Sequence, residues 1–195
     1  MTSQFSVLIF MLFFTTSCFC QKITLKVIIE NKVADAKNDT IYYSASRPLT
    51  WDDFKGTPDN SPGGAVTSSG FAFNADMNMV GNEVSLTVHI FTYFSKKNSW
   101  KRFQINSAYH LLHEQHHFDL TRLGAQKFYN DLLKANFTFS NYSRLLSSTF
   151  NQASNENHVL QERYDNETRH SIDTTAQLQW NDKIAGEVKA VIGNQ

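Results

Sequence analysis

Residues 113–117 read His-Glu-Gln-His-His and combine side chains that are suited to metal chemistry. On an α-helix, residues four apart lie on one face, so His113 and His117 can direct ring nitrogens at one metal ion. Glu114 lies beside that face, where its carboxylate can take a proton from a water on the ion. This His-Glu-x-x-His spacing is typical of zinc metallopeptidases and predicts metal-assisted hydrolysis of an amide bond.

A long helix is predicted to carry this motif from about residue 107 to residue 134. Asn106 or Ser107 can cap its start, where the hydrophobic period changes from 2 to 3.6. His116 follows the two ligands in sequence but points about 100° away from His117, so it is predicted to lie outside the site. One partly apolar stripe is expected to face inward; it consists of His110, His113, His117, Leu120, Thr121, Gly124 and Phe128.

A catalytic zinc site needs a third protein ligand besides the two histidines. An extended motif with Gly at position 120 and a third ligating His at position 123 is excluded, because both positions are Leu. The chain has cysteines only at positions 18 and 20, so the ligand is expected to be a histidine or a carboxylate. The downstream candidates are Glu156, His158, Glu162, Glu167 and His170. The residues alone leave the choice among them open.

Several segments, taken in order, resemble one protein family. They are residues 49–54 (Leu-Thr-Trp-Asp-Asp-Phe), residues 113–119, the group Tyr164, Asp165, Thr168 and His170, and finally Gln177 and Trp180. This combination is similar to that of bacterial secreted proteins described as a domain of unknown function and as predicted secreted zinc-dependent proteases. The resemblance covers roughly residues 45–185 and departs at Ser171, where members often have glycine. It implies an extracytoplasmic metallopeptidase.

The resemblance also implies roles for residues near the end of the pattern. His170 is predicted to be the third ligand of a Zn²⁺ ion held by His113 and His117, and Glu162 is the alternative. Glu114 and Tyr164 are the predicted catalytic residues. Tyr164 would donate a hydrogen bond to the oxyanion, and Asp165 would orient a ligating histidine.

Residues 1–20 are predicted to form a signal peptide. The apolar run Val7–Phe14 is shorter than the roughly 20 residues of a membrane span, and small residues suited to cleavage follow it. Cleavage is expected after Cys20; the alternative is a lipoprotein acylated at Cys18. A secreted, periplasmic or cell-envelope location is therefore expected, with membrane attachment only through a lipidated Cys18.

The composition favours a single domain over residues 21–195. The chain is 41% hydrophobic, which is enough for a core, and its 18 basic and 18 acidic residues balance, so nothing indicates nucleic-acid binding. Strands are predicted at 22–30 and 38–44, a hairpin at 65–91, and helices at 143–163 and 174–191. These predict an α+β fold, zincin-like, in which an N-terminal antiparallel sheet packs on the motif helix and the C-terminal helices.

The predicted function is zinc-dependent hydrolysis of peptide bonds by a secreted monomer that acts on a protein or peptide. The alternative is a catalytically inactive metal-binding or partner-binding protein of the cell envelope. The intact Glu114 favours the enzyme, because a purely structural metal site has no need of a base.

Overall fold

The computed structural model describes residues 23–30, 38–60 and 63–193, and the predicted signal peptide lies outside these residues. The strands are β1 Ile23–Ile29, β2 Thr40–Tyr42, β3 Ala65–Val66, β4 Ser69–Val80, β5 Glu83–Ser95 and β6 Trp100–Lys101. The helices are α1 Ala108–Lys134, α2 Tyr142–Thr168 and α3 Thr174–Ile192, and a 3-10 turn covers Trp51–Asp53. The predicted α+β class, with an N-terminal sheet before the helices, is confirmed. None of the described helices has the length and hydropathy that crossing a membrane requires.

The main sheet is built around β5. This strand pairs with β4 in an antiparallel hairpin along one side, and with β1 and β2 along the other side. The hairpin turns at Gly81, whose φ of 59° lies in the left-handed region that glycine adopts without strain. The hairpin was predicted, but the prediction of a wholly antiparallel sheet is wrong, because β1 runs parallel to β5. An alternating strand shows which face is buried and does not show the direction of its neighbour.

Alternate residues of β5 form the wall of the main core. Val84, Leu86, Val88 and Ile90 are at most 2% exposed and belong to one cluster with residues of α1 and α2. The helix residues of this cluster are Ala125, Phe128, Leu132, Leu146 and Ala153. The sheet therefore supports α1 along its inward face, which also carries the metal motif.

The bounds of α1 agree with the prediction from sequence. Ser107 is the N-cap, and its side chain accepts a hydrogen bond from the main-chain nitrogen of His110. Further along, α1 contacts α2 at Gly124, where an added Cβ would lie 2.7 Å from Nδ2 of Asn157. Asn157 donates from that nitrogen to the main-chain oxygen of Leu120 at 2.7 Å. The two helices therefore approach closely, and the end of α2 reaches the motif.

The two C-terminal helices differ from the prediction in detail. Helix α2 was predicted to end near residue 163 but continues to Thr168, so Tyr164 and Asp165 are helical. Asp173 caps α3 and accepts a hydrogen bond from the main-chain nitrogen of Ala176. The helical period of residues 174–191 predicts that Leu178 faces inward, but this side chain is 62% exposed, and the buried residues of α3 are Gln177, Trp180 and Ile184.

Candidate metal centre

Two histidines of α1 converge on a carboxylate of α2. Nε2 of His113 lies 3.1 Å from Oδ1 of Asp165, and Nε2 of His117 lies 3.0 Å from the same oxygen. The candidate ligand atoms of these three residues all lie within 4.8 Å of one another. His113, His117 and Asp165 therefore form a group that could hold a metal ion.

Gln161 fixes the orientation of the His117 ring. Its side-chain oxygen accepts from Nδ1 of His117 at 2.6 Å, and its side-chain nitrogen donates to the main-chain oxygen of His117 at 2.9 Å. Because a carbonyl oxygen can only accept, the amide has one orientation and Nδ1 of His117 carries a hydrogen. The other ring nitrogen, Nε2, is the one that faces Asp165.

Gln177 of α3 holds His113 in the same way. Its side-chain oxygen lies 2.9 Å from Nδ1 of His113, and its side-chain nitrogen donates to the hydroxyl of Tyr164 at 2.7 Å. With both Nδ1 atoms protonated, neutral rings present Nε2 lone pairs to the carboxylate of Asp165. The lone pairs on the two Nε2 atoms and those on the carboxylate oxygen repel one another unless a proton or a metal ion lies between them. Two imidazoles and a carboxylate are a ligand set that suits zinc.

In the metal-free chain, protons stabilise this arrangement. Burial lowers the pKa of His117, but the hydrogen bond and the charge of Asp165 raise it, to about 9 overall. Burial raises the pKa of Asp165, but the hydrogen bonds from His113 and His117 hold it well below its usual range. Near neutral pH, metal binding must therefore displace a proton from His117.

Glu114 lies beside the three converging side chains, in the position expected of a base. It is 5% exposed, and its Oε2 accepts a hydrogen bond from Oγ1 of Thr67 at 2.8 Å. Thr67 is two residues before β4, and nothing in the sequence pattern had singled it out. Glu114 lines the same cavity as His113, His117 and Asp165, so all four residues are open to one bound ligand.

This cavity has a volume of about 850 Å³, within the usual range of ligand sites. Its walls come from the segment 63–71, from α1, from α2 and from the connection between α2 and α3. Three further histidines line it, namely His110, His158 and His170. The candidate metal centre is therefore open to a sizeable ligand rather than enclosed by protein.

His170, the predicted third ligand, lies at the rim of the centre. Its Nδ1 is 3.4 Å from Oδ1 of Asp165, and its side chain is 46% exposed. The group that could hold a metal contains Asp165 in place of His170, so the role of His170 stays a prediction. Glu162, the alternative ligand, lies 3.4 Å from His158 in a largely exposed pair. Asp165, predicted only to orient a histidine, has the better geometry for a ligand.

The backbone that carries His170 is strained. Arg169, His170 and Ser171 have φ values of 50°, 52° and 68°, in the left-handed region that residues other than glycine rarely adopt. Proteins of the family that this sequence resembles often have glycine at the position of Ser171. Glycine there would relieve the strain, because it adopts this φ freely. Here the main-chain oxygen of Ser171 accepts from the hydroxyl of Tyr109 at 2.8 Å, which anchors the turn.

Tyr164 is buried behind the centre. It is 0% exposed, and its ring stacks on that of His113 with 4.7 Å between the ring centroids. Its hydroxyl accepts from Gln177, and burial raises the pKa of the phenol. The side chain does not line the cavity as described. The prediction that Tyr164 donates a hydrogen bond to an oxyanion therefore has no support from this geometry and stays a prediction. The contacts of Tyr164 instead position His113.

His116 lies outside the centre, as predicted. Its Nδ1 bonds to Oδ2 of Asp119 at 3.0 Å, and it does not contribute to the candidate metal group. Asp119 also accepts from the hydroxyl of Tyr43 at 2.9 Å and from the amide of Gln115 at 2.8 Å. The opposite face of the motif helix thus carries a buried hydrogen-bond network that ties α1 to the chain after β2.

No family model, curated protein or solved structure matches this chain. The resemblance to secreted zinc-dependent proteases and the zincin-like character of the fold therefore stay predictions. Function has to be argued from the chemistry of the site, since a fold by itself does not establish it.

Proposed function

We propose that the chain is a secreted zinc-dependent metallopeptidase that hydrolyses peptide bonds. The observation that carries the proposal is the placement of Glu114 in one open cavity with His113, His117 and Asp165. A structural metal site needs neither a base nor an open cavity. The secreted location follows from the predicted leader and is part of the proposal.

The residues of the chain divide the work of such a reaction. His113, His117 and Asp165 would hold the ion, and Gln161 and Gln177 keep each Nε2 lone pair directed at it. When bound, zinc would polarise the substrate carbonyl and make water a better nucleophile at neutral pH.

Glu114 is the general base of the proposed reaction. Its carboxylate accepts a proton from water and then delivers it to the leaving amine. Thr67, which donates a hydrogen bond to one carboxylate oxygen, fixes the direction of the side chain. Because Glu114 is nearly fully buried beside the ligands, it has little freedom to turn away from the reacting groups.

The substitution Glu114→Gln tests the proposal. Glutamine has nearly the same size but cannot accept the proton, so hydrolysis of quenched-fluorescent peptides should fall about a hundredfold or more. The zinc content of the purified protein should stay at one equivalent, because Glu114 is not a ligand. Glu187→Gln, at an exposed position of α3, is the matched control and should leave both values unchanged.

Three outcomes are distinguishable. Unchanged hydrolysis in the Glu114→Gln protein contradicts the mechanism. Zinc below about a tenth of an equivalent in the wild type contradicts the metal site itself. Full zinc without turnover of any peptide indicates the inactive metal-binding or partner-binding alternative.

A further inference from the structure

The charge of the cavity is one-sided. Among the described residues that line it, Glu114, Glu162 and Asp165 carry carboxylates, and none is lysine or arginine. With a bound divalent cation and neutral histidines, the three carboxylates still leave the cavity with a net charge of −1. A substrate carboxylate that entered would meet no lysine or arginine among these lining residues.

Apolar side chains supply much of the remaining wall. Ile105 precedes α1 and Ile172 lies between α2 and α3, while Val66 belongs to β3 and Phe71 to β4. Ile105 packs directly on the backbone, since a Cβ at Gly64 would lie 2.6 Å from its Cγ1. Ile172 is 71% exposed, so its apolar surface is open to a partner in the cavity.

We infer that the cavity binds an uncharged, apolar segment from the interior of a peptide chain and rejects a terminal carboxylate or an acidic side chain. Arginine and lysine are the side chains that most often bind a carboxylate by a charge-assisted hydrogen bond, and the described wall contains neither. Like charges brought together oppose binding, whereas apolar walls favour it. The inference rests on the proposed peptide hydrolysis and adds a substrate class to it.

Binding to the zinc-loaded wild type tests the charge preference without turnover. The probes are fluorescent peptides with N-methylated central bonds, which resist hydrolysis. One is capped at both ends with leucine at its centre, the second has glutamate at the centre, and the third ends near the centre in a free carboxylate. The two acidic probes should bind about tenfold more weakly than the apolar probe. Equal or tighter binding of either acidic probe overturns the inference, as does binding of none of the three.

A lysine introduced into the wall provides the reverse test. Ile172→Lys should strengthen binding of the two acidic probes about tenfold relative to the apolar probe. Leu178→Lys is the matched control, because Leu178 is similarly exposed, at 62% against 71% for Ile172, but does not line the cavity. Neither substitution disturbs the core. If Ile172→Lys leaves the ratio of affinities unchanged, or Leu178→Lys changes it equally, the inference is wrong.

These results separate the inference from the proposed function. A wild type that shows the binding preference but hydrolyses no peptide contradicts the peptidase proposal alone. A wild type that hydrolyses acidic or carboxyl-terminal bonds best contradicts the substrate class alone.

Discussion

Gln161 and His117 exchange two hydrogen bonds across the interface between α1 and α2. The amide oxygen accepts from Nδ1 of the ring at 2.6 Å, and the amide nitrogen donates to the main-chain oxygen of the same histidine at 2.9 Å. One glutamine thus sets both the tautomer of the ring and the distance of α2 from the motif helix. This pairing makes the metal centre depend on residues that are not themselves ligands.

Gln161→Leu should weaken zinc binding by about 10- to 100-fold, the usual cost of removing a residue that orients a ligand. Leucine fills a similar space but leaves Nδ1 of His117 without an acceptor. Zinc affinity would be measured by competition with a chelator of known affinity. Gln152→Leu, at an exposed position of the same helix, is the control and should have no effect on affinity. Equal affinities of all three proteins would show that the amide does not orient the ring.

Asp165→Ala and His170→Ala together decide the third ligand. Because Oδ1 of Asp165 lies within about 3 Å of both Nε2 atoms, its removal should lower zinc affinity by more than the 10- to 100-fold typical of an orienting residue. His170 lies at the rim with a side chain 46% exposed, so its removal should cost less. A larger loss in His170→Ala than in Asp165→Ala would reverse this assignment and support the prediction from sequence.

The motif helix and the ends of α3 were predictable because their signals are local. Ser107 and Asp173 are caps that act on residues three positions further along the chain. The β4–β5 hairpin was predictable for the same reason, since the alternating strands are joined by a short turn at Gly81. Each of these features depends on contacts between near neighbours in sequence.

The third ligand and the partner of Glu114 were not predictable from such signals. Thr67 meets Glu114, and Asp165 meets His113, only because the sheet, α1 and α2 pack in one particular way. One signal was present, because Asn157, Gln161 and Asp165 are spaced by four on α2 and form a polar stripe. The early predicted end of α2, near residue 163, hid the last member of that stripe.

Proton release should accompany metal binding. The pKa of His117 in the metal-free chain is raised to about 9, so at pH 7 the ring is charged and must lose its proton to become a ligand. Zinc affinity should therefore rise with pH and level off above about pH 9. Titration calorimetry in two buffers of different ionisation enthalpy measures the protons released. An affinity independent of pH between 6 and 9 would contradict this prediction.

The metal-free chain should also show a defined pH window of stability. The raised pKa of His117 means that its contribution is lost as pH rises through about 9, and the lowered pKa of Asp165 means that its contribution is lost as pH falls below the ordinary value of 3.8. The thermal midpoint of chelator-treated protein should therefore fall at both limits. His117→Gln, which removes the charge pair with Asp165, should flatten the alkaline side of the profile.

Gly124→Ala should destabilise the fold even though alanine favours a helix by about 1 kcal/mol over glycine. The new Cβ would lie 2.7 Å from the side chain of Asn157 and displace its hydrogen bond to Leu120, which should cost about 1–3 kcal/mol of unfolding free energy. Since Asn157 lies one turn before Gln161, zinc affinity should fall as well. Chemical denaturation and chelator competition measure the two effects.

Gly186→Ala in α3 is the matched control, because nothing lies within 4 Å of a Cβ at that position. It should stabilise the chain by up to about 1 kcal/mol and leave zinc affinity unchanged. Combining Gly124→Ala with Asn157→Ala should recover part of the lost stability, because the smaller side chain removes the overlap. Gly124→Ala could instead stabilise the chain as much as Gly186→Ala does. That result would show that the close approach of α1 and α2 at Gly124 does not hold Gln161 and Asp165 at the metal centre.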